Sequence, residues 1–257
     1  MLILKSNLFG WLTLLTVGGL LAGCAKRLPL EELGDQAAYQ SLKQKYDKGK
    51  YAQAVEGLEY YTLNYSGSAY LDSAEFLLAQ SHFKLKEYLL AADAYDQLAR
   101  RFTRSPLVPE AMFRVGVCYF KLSPNYALDQ EWTLRAADAL QAFIDFFPDR
   151  REQVLEAQNY IQQCRDKLGH KAYAGGMIYS KMKDWKAALI YFQLVLDKYY
   201  DTEWAAKAVY EMGKCYRAQG QLDKAEEVWR GFIDSYPEHP WRVKVERELQ
   251  ESKKVDK

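Results

Sequence analysis

The chain is 257 residues long, 49% hydrophobic and 27% charged, with a net charge of +1. That much apolar sequence fills one large or two small cores, and with only 7 Pro and 15 Gly it excludes a disordered or collagen-like chain. A charge so close to zero also excludes nucleic acid as the main partner, because a backbone reader needs a basic field.

Met1 to Asn7 carries one charge, Lys5, and Leu8 to Leu21 is apolar or neutral. A run of that length suits a signal-peptide core and is short for a bilayer span. It ends in Leu21-Ala22-Gly23-Cys24, which resembles a bacterial lipobox. The resemblance implies cleavage between Gly23 and Cys24 and acylation of the Cys24 thiol. Each buried acyl methylene contributes about 0.8 kcal/mol, so two or more chains anchor stably. Residues 1–23 are therefore read as a lipoprotein signal peptide and 24–35 as a tether. Ala25 stands where an Asp would favour retention at the inner membrane in enteric-type sorting, which leans towards the outer membrane.

From residue 36 the sequence repeats itself, and repeats are sought before any other feature. Gly213 to Pro237 pairs an amphipathic helix with a short polar break and a second helix, and Ala79 onward does the same. Both stretches resemble the tetratricopeptide repeat, whose pattern asks for a small residue at position 8, Ala at 20, an aromatic at 24 and Pro at 32. Gly213, Ala225, Trp229 and Pro237 supply all four. Small residues let the two helices of a hairpin approach, the aromatic fills the space between hairpins, and Pro stops the second helix.

The position-20 alanines are Ala54, Ala91, Ala136, Ala188 and Ala225, spaced by 37, 45, 52 and 37 residues. The basic unit is thus three residues longer than the usual 34. The turns between repeats share an aromatic followed by a cap-like residue, at Tyr65, Phe102, Phe147, Tyr200 and Tyr236, where Ser and Thr are expected to cap the next helix. The expected architecture is an all-α solenoid over residues 36–252. Its five hairpins cover about 36–68, 70–104, 108–148, 151–201 and 203–238, with a C-terminal helix at 240–252. The long spacings place an edge loop at Ser123 to Gln130 and one long helix over Arg151 to Lys183 that runs into the fourth repeat. Gly175-Gly176 in that helix reads as a close helix approach.

Cys118 and Cys215 share one small buried repeat position, and Cys164 has no evident partner, so all three read as structural thiols. No phosphate loop, metal-ligand spacing or nucleophile motif occurs, and no cofactor or metal is expected. His82, His170 and His239 are far apart, with His82 on the packing face of its hairpin. Carboxylates alternate with lysines along helix surfaces. The chain reads as a binding protein and not as an enzyme.

A solenoid presents its first helices along a concave wall. Repeat positions 5 and 12 there read Tyr39 and Tyr46, Phe76 and Phe83, Phe113 and Phe120, with Lys43 and Lys84 among the polar neighbours. That ladder suits an extended peptide with apolar side chains, and a carboxylate end. The alternative is that such aromatics pack against neighbouring helices. The fifth repeat offers Tyr210, Lys214 and Arg217 instead, which suits docking of a folded partner.

Lipobox, short tether, five 37-residue-type repeats and a long helix between the third and fourth together resemble the BamD family of outer-membrane β-barrel assembly lipoproteins, over roughly residues 24 to 250. The resemblance implies a lipid-anchored scaffold at the periplasmic face of the outer membrane. It implies binding to the periplasmic domains of the β-barrel insertase subunit, and recognition of C-terminal signals of unfolded outer-membrane proteins by the N-terminal repeats. The loop at 123–130 departs from the family pattern. The rival reading is a repeat lipoprotein adaptor that recruits periplasmic hydrolases or proteases.

Overall fold

A computed structural model of the chain describes residues 29–255. Cys24 and the signal segment lie outside the described residues. Among those described there is no strand: a 3₁₀ turn at Leu30–Glu32 leads into eleven α-helices. They form consecutive antiparallel pairs: α1 (Asp35–Asp47) with α2 (Tyr51–Asn64), α3 (Leu71–Lys84) with α4 (Tyr88–Arg101), and α5 (Val108–Leu122) with α6 (Glu131–Phe146). Then come α7 (Arg151–Lys181) with α8 (Trp185–Lys198), α9 (Glu203–Ala218) with α10 (Leu222–Ser235), and the terminal α11 (Arg242–Val255). Every helix packs on the one that follows it. The first helices of neighbouring hairpins also touch, as in α1 on α3 and α7 on α9. The core is therefore a series of clusters between neighbouring hairpins, the all-α solenoid the periodicity implies.

Close approach inside a hairpin depends on absent side chains. A Cβ on Gly213 would lie 2.1 Å from Trp229 Nε1, and one on Gly176 would lie 2.5 Å from Phe192 Cε1. The expected helix through the fourth repeat is present as the 31-residue α7. Its N-terminal half (Val154, Ala157, Tyr160, Ile161) packs with Phe113, Leu140 and Phe143, while its C-terminal half (Ala172, Tyr173, Met177) packs with Phe192, Ala208 and Met212. One helix thus carries two separate cores.

The five turns between repeats are built alike. Tyr65, Phe102, Phe147, Tyr199 and Tyr236 each end a second helix, and each carbonyl accepts a bond from the N–H three residues on, at 2.8–3.1 Å. In the fourth repeat the turn aromatic is Tyr199 and not Tyr200, which is 68% exposed. Nor do the turn hydroxyls cap helices as expected. Ser68 Oγ accepts from Tyr70 N–H (2.8 Å) and Ser105 Oγ from Leu107 N–H (3.2 Å), while Thr202 Oγ1 donates to Tyr199 O (2.7 Å). All three tie the turn itself, because it closes before the helix begins. The side-chain cap found is Asp184, accepting from Ala187 N–H at 3.1 Å.

Within the hairpins of repeats one, two, four and five, one residue of the short turn is left-handed: Gly49 (φ 72°), Lys86 (φ 64°), Lys183 (φ 62°) and Gly220 (φ 73°). A lysine there carries a steric cost that glycine does not. Lys86→Gly and Lys183→Gly are each expected to raise stability by about 0.5–1 kcal/mol, read as a higher urea midpoint at unchanged slope.

Candidate functional site

The third hairpin has no short turn. Ser123 to Gln130 form a loop that folds back onto α7. The buried Gln130 holds the loop from within, donating to Asn125 O (2.8 Å) and Leu128 O (3.0 Å). Lys167 Nζ donates to Ser123 Oγ at 2.6 Å, and Lys171 Nζ to Leu128 O at 2.6 Å. Tyr126 stacks on His170 (centroids 3.5 Å apart), which stacks on Trp204 of α9 (3.8 Å) with planes 8° apart. Burial lowers the His170 pKa, with Asp166 opposing and Lys207 adding to the shift. The imidazole is thus held neutral between two aromatic faces, and the stack joins the third, fourth and fifth repeats.

Two clefts flank this stack. One, of about 810 Å³, is lined by Phe120, Asn125, Gln163, Asp166, Lys167 and Glu203. Asp201, in its wall, accepts a fork from Arg165 (2.7 and 2.6 Å), which keeps the Asp201 carboxyl below the usual range. The other, of about 750 Å³, lies on the far side of Tyr126 and is mostly apolar, between α7 and α8. No spacing in the sequence places either cleft, since both depend on where the loop folds back.

The aromatic ladder is largely spent on packing. Tyr39 stacks on Tyr70 (5.2 Å), Tyr46 meets Tyr51 (5.3 Å), Phe76 meets Tyr95 (5.5 Å) and Phe83 meets Tyr88 (5.3 Å). Phe120 meets Tyr160 at 4.7 Å. These five rings are half-buried. Phe113 is only 1% exposed, against Phe143 and Tyr160, so it is a core residue and is withdrawn as a groove contact. Lys84 is exposed, and Lys43 pairs with Asp47 at 2.9 Å. The sequence reading missed Arg114. Its Nε donates to Glu110 Oε1 (2.6 Å), whose other oxygen accepts from Gln153 Nε2 (2.6 Å). Burial raises the phenol pKa values of Tyr46 and Tyr95, and the Arg114 charge opposes that rise. A cation amid aromatic edges at repeat-three position 6 was the available signal.

At the other end, Tyr210 is 2% exposed and donates to Glu248 Oε1 at 2.7 Å, and Arg217 pairs with the same carboxylate. Lys214 pairs with Glu211 at 2.8 Å, and Lys244 of α11 lies 4.2 Å from the Tyr210 ring centroid. Two of the three expected docking residues, Tyr210 and Arg217, hold α11 over α9 as a terminal cap, while Lys214 pairs within α9. Tyr210 is withdrawn as a docking contact for that reason. Glu248→Ala leaves the buried Tyr210 hydroxyl without its acceptor and is expected to cost about 2 kcal/mol, seen as faster amide exchange confined to α11 and the facing turns of α9.

A family model described as YfiO, outer membrane lipoprotein, matches residues 31–230. The chain belongs to the YfiO family. Two curated relatives are both called outer membrane protein assembly factor BamD. That of Rickettsia prowazekii (strain Madrid E) is 25% identical over 230 residues, covering 89% of this chain and 91% of its own length. That of Haemophilus influenzae (strain ATCC 51907 / DSM 11121 / KW20 / Rd) is 23% identical over 237 residues, covering 87% and 89%. Among solved structures, a putative kinesin light chain of Podosopora anserina with nearly identical TPR-like repeats covers 77% of this chain and 93% of its own, at 13% identity and a TM-score of 0.40.

The described cysteines of this YfiO-family chain are free and buried. Burial pushes Cys118 up to about 12 and Cys164 and Cys215 up to about 11. An unfolded thiol ionises near pH 8.5, so this contribution to stability is complete below about pH 8 and is lost as pH rises towards 11–12. Alkylation with iodoacetamide at pH 8, read by peptide mass mapping, is expected to leave all three unmodified until urea unfolds the chain.

Proposed function

We propose that this chain is a non-catalytic scaffold in the assembly of outer-membrane β-barrel proteins, held by lipid on Cys24 at the periplasmic face of the outer membrane. The observation that carries the reading is the family match across residues 31–230, together with assembly factors of nearly equal length as relatives. No helix among the described residues is long and apolar enough to cross a membrane. The finer reading follows the family. The chain binds the periplasmic domains of the β-barrel insertase subunit, and its N-terminal repeats receive C-terminal signals of unfolded barrel proteins. Tyr39, Tyr46, Phe76, Phe83 and Phe120 offer their edges to apolar side chains, with Lys43, Lys84 and Arg114 as cations for a carboxylate. With Tyr210 committed to α11, Lys214 and the exposed part of Arg217 are the remaining docking contacts there. Affinity purification of the tagged chain from detergent-solubilised outer membrane is expected to bring down the insertase. Its absence, with hydrolases or proteases enriched instead, overturns the reading in favour of a recruiting adaptor.

A further inference from the structure

The seam at α7 leaves one helix face without a helical neighbour. Elsewhere the first helix of a hairpin packs on the second helix of the hairpin before it, α3 on α2, α5 on α4 and α9 on α8. Helix α7 meets the preceding hairpin through its N-terminal half, and from Ala172 onward its core partners are α8 and α9. The half that serves as first helix of the fourth hairpin therefore lacks a preceding helix beside it. What lies there is the apolar cleft of about 750 Å³, with Tyr126 and Ala127 of the loop at its edge. Its floor runs from Leu168 to Lys181, and Tyr191 and Leu194 of α8 form the wall. Gly175 lets the Tyr191 ring lie against α7, since a Cβ there would come within 2.8 Å of it. Ile178, near the C-terminal end of the floor, is 58% exposed.

The charged side chains lining this trough are both cationic, Lys171 and Lys181. They stand about 15 Å apart along α7 at a rise of 1.5 Å per residue. Lys171 gives one N–H to Leu128 O, which leaves its ammonium two further donors. A floor of helix ridges with a rim of one sign selects a helical occupant of the opposite sign. We infer that the trough docks an amphipathic helix of another polypeptide, apolar on one side and flanked by Glu or Asp, seated where a preceding helix lies elsewhere in the solenoid. The inference names no subunit, so it stands or falls separately from the insertase assignment.

The test uses the full chain in phosphatidylcholine nanodiscs, with empty nanodiscs subtracted. The probe is a fluorescein-labelled helical peptide of about 16 residues with Leu at i, i+3, i+4 and i+7 and flanking Glu; its counterpart has Lys for every Glu. The Glu peptide is expected to bind at micromolar concentration and the Lys peptide about tenfold more weakly. Ile178→Asp and Lys181→Glu should each weaken the Glu peptide about tenfold with unchanged circular dichroism, and Lys181→Glu should strengthen the Lys peptide. Equal binding of both peptides, indifference to Ile178→Asp, or no binding at about 1 mM overturns the proposal. So does a self-dimer, or binding to phosphatidylglycerol vesicles, that Ile178→Asp abolishes while the peptide results stay flat.

Discussion

Trp229→Ala is expected to unfold the C-terminal hairpin at a urea concentration that leaves the first three hairpins intact. The ring is 0% exposed and sits on Gly213, where no Cβ intervenes. Its Nε1 donates to Tyr210 O at 3.1 Å, and Arg217 lies over the ring at 5.2 Å. Ala206, Tyr210, Ala225, Phe232 and Val245 share its cluster, which ties α9, α10 and α11 together. Truncating so large a buried ring costs about 3–5 kcal/mol, a sizeable part of the about 5–15 kcal/mol that holds a whole domain. In a solenoid stability is shared only between neighbours, so the loss stays at this end. Hydrogen exchange should lose protection over residues 203–255 and keep it over 35–146. A single transition at the parent midpoint contradicts this account. Gly213→Ala attacks the same contact from the other side and should cost about 2 kcal/mol, falling well below that in a Trp229→Leu background where the clash is gone.

Cys24→Ala is expected to remove the lipid anchor of the chain. The sequence offers one thiol at the seam between the apolar run and the polar chain, and no helix among the described residues is long and apolar enough to cross a membrane. With about 0.8 kcal/mol per buried methylene, two or more acyl chains give attachment that washing does not reverse, and their removal takes away nearly all of it. Fractionation after a carbonate wash should move the variant from the membrane pellet to the soluble fraction, or leave it as an uncleaved precursor. The intact mass of native material should show the mature chain from Cys24 carrying acyl groups. An unmodified Cys24 in native membrane-bound material excludes the lipid tether.

Much of the hairpin fold was legible because its contacts are short in sequence. Gly213 and Trp229, or Gly176 and Phe192, lie one helix apart, so small-large pairs at fixed spacing betray the approach of two helices directly. The loop at Ser123–Gln130 and the length of α7 were legible for a related reason, since an interrupted period shows where the chain departs from it. The binding surfaces were less legible. Phe76 and Phe113 hold the same repeat position, yet Phe113 is sealed against Phe143 while Phe76 stays half-buried. Tyr210 looks like a groove residue until α11 turns back and brings Glu248, 38 residues away, to its hydroxyl.

The sequence by itself determined the helices, their pairing, the repeated aromatic turns and the close contacts within each hairpin. Periodicity, small residues and turn chemistry all act over a few tens of residues along the chain. Only the tertiary structure decided which aromatics stay open, that the C-terminal helix covers the last groove, and that Tyr126, His170 and Trp204 stack across three repeats. Those outcomes depend on where a long helix and a returning loop carry residues distant in sequence. Lys167, for example, reaches Ser123 across 44 positions. A side chain's exposure is fixed by what arrives from elsewhere, which no local pattern encodes.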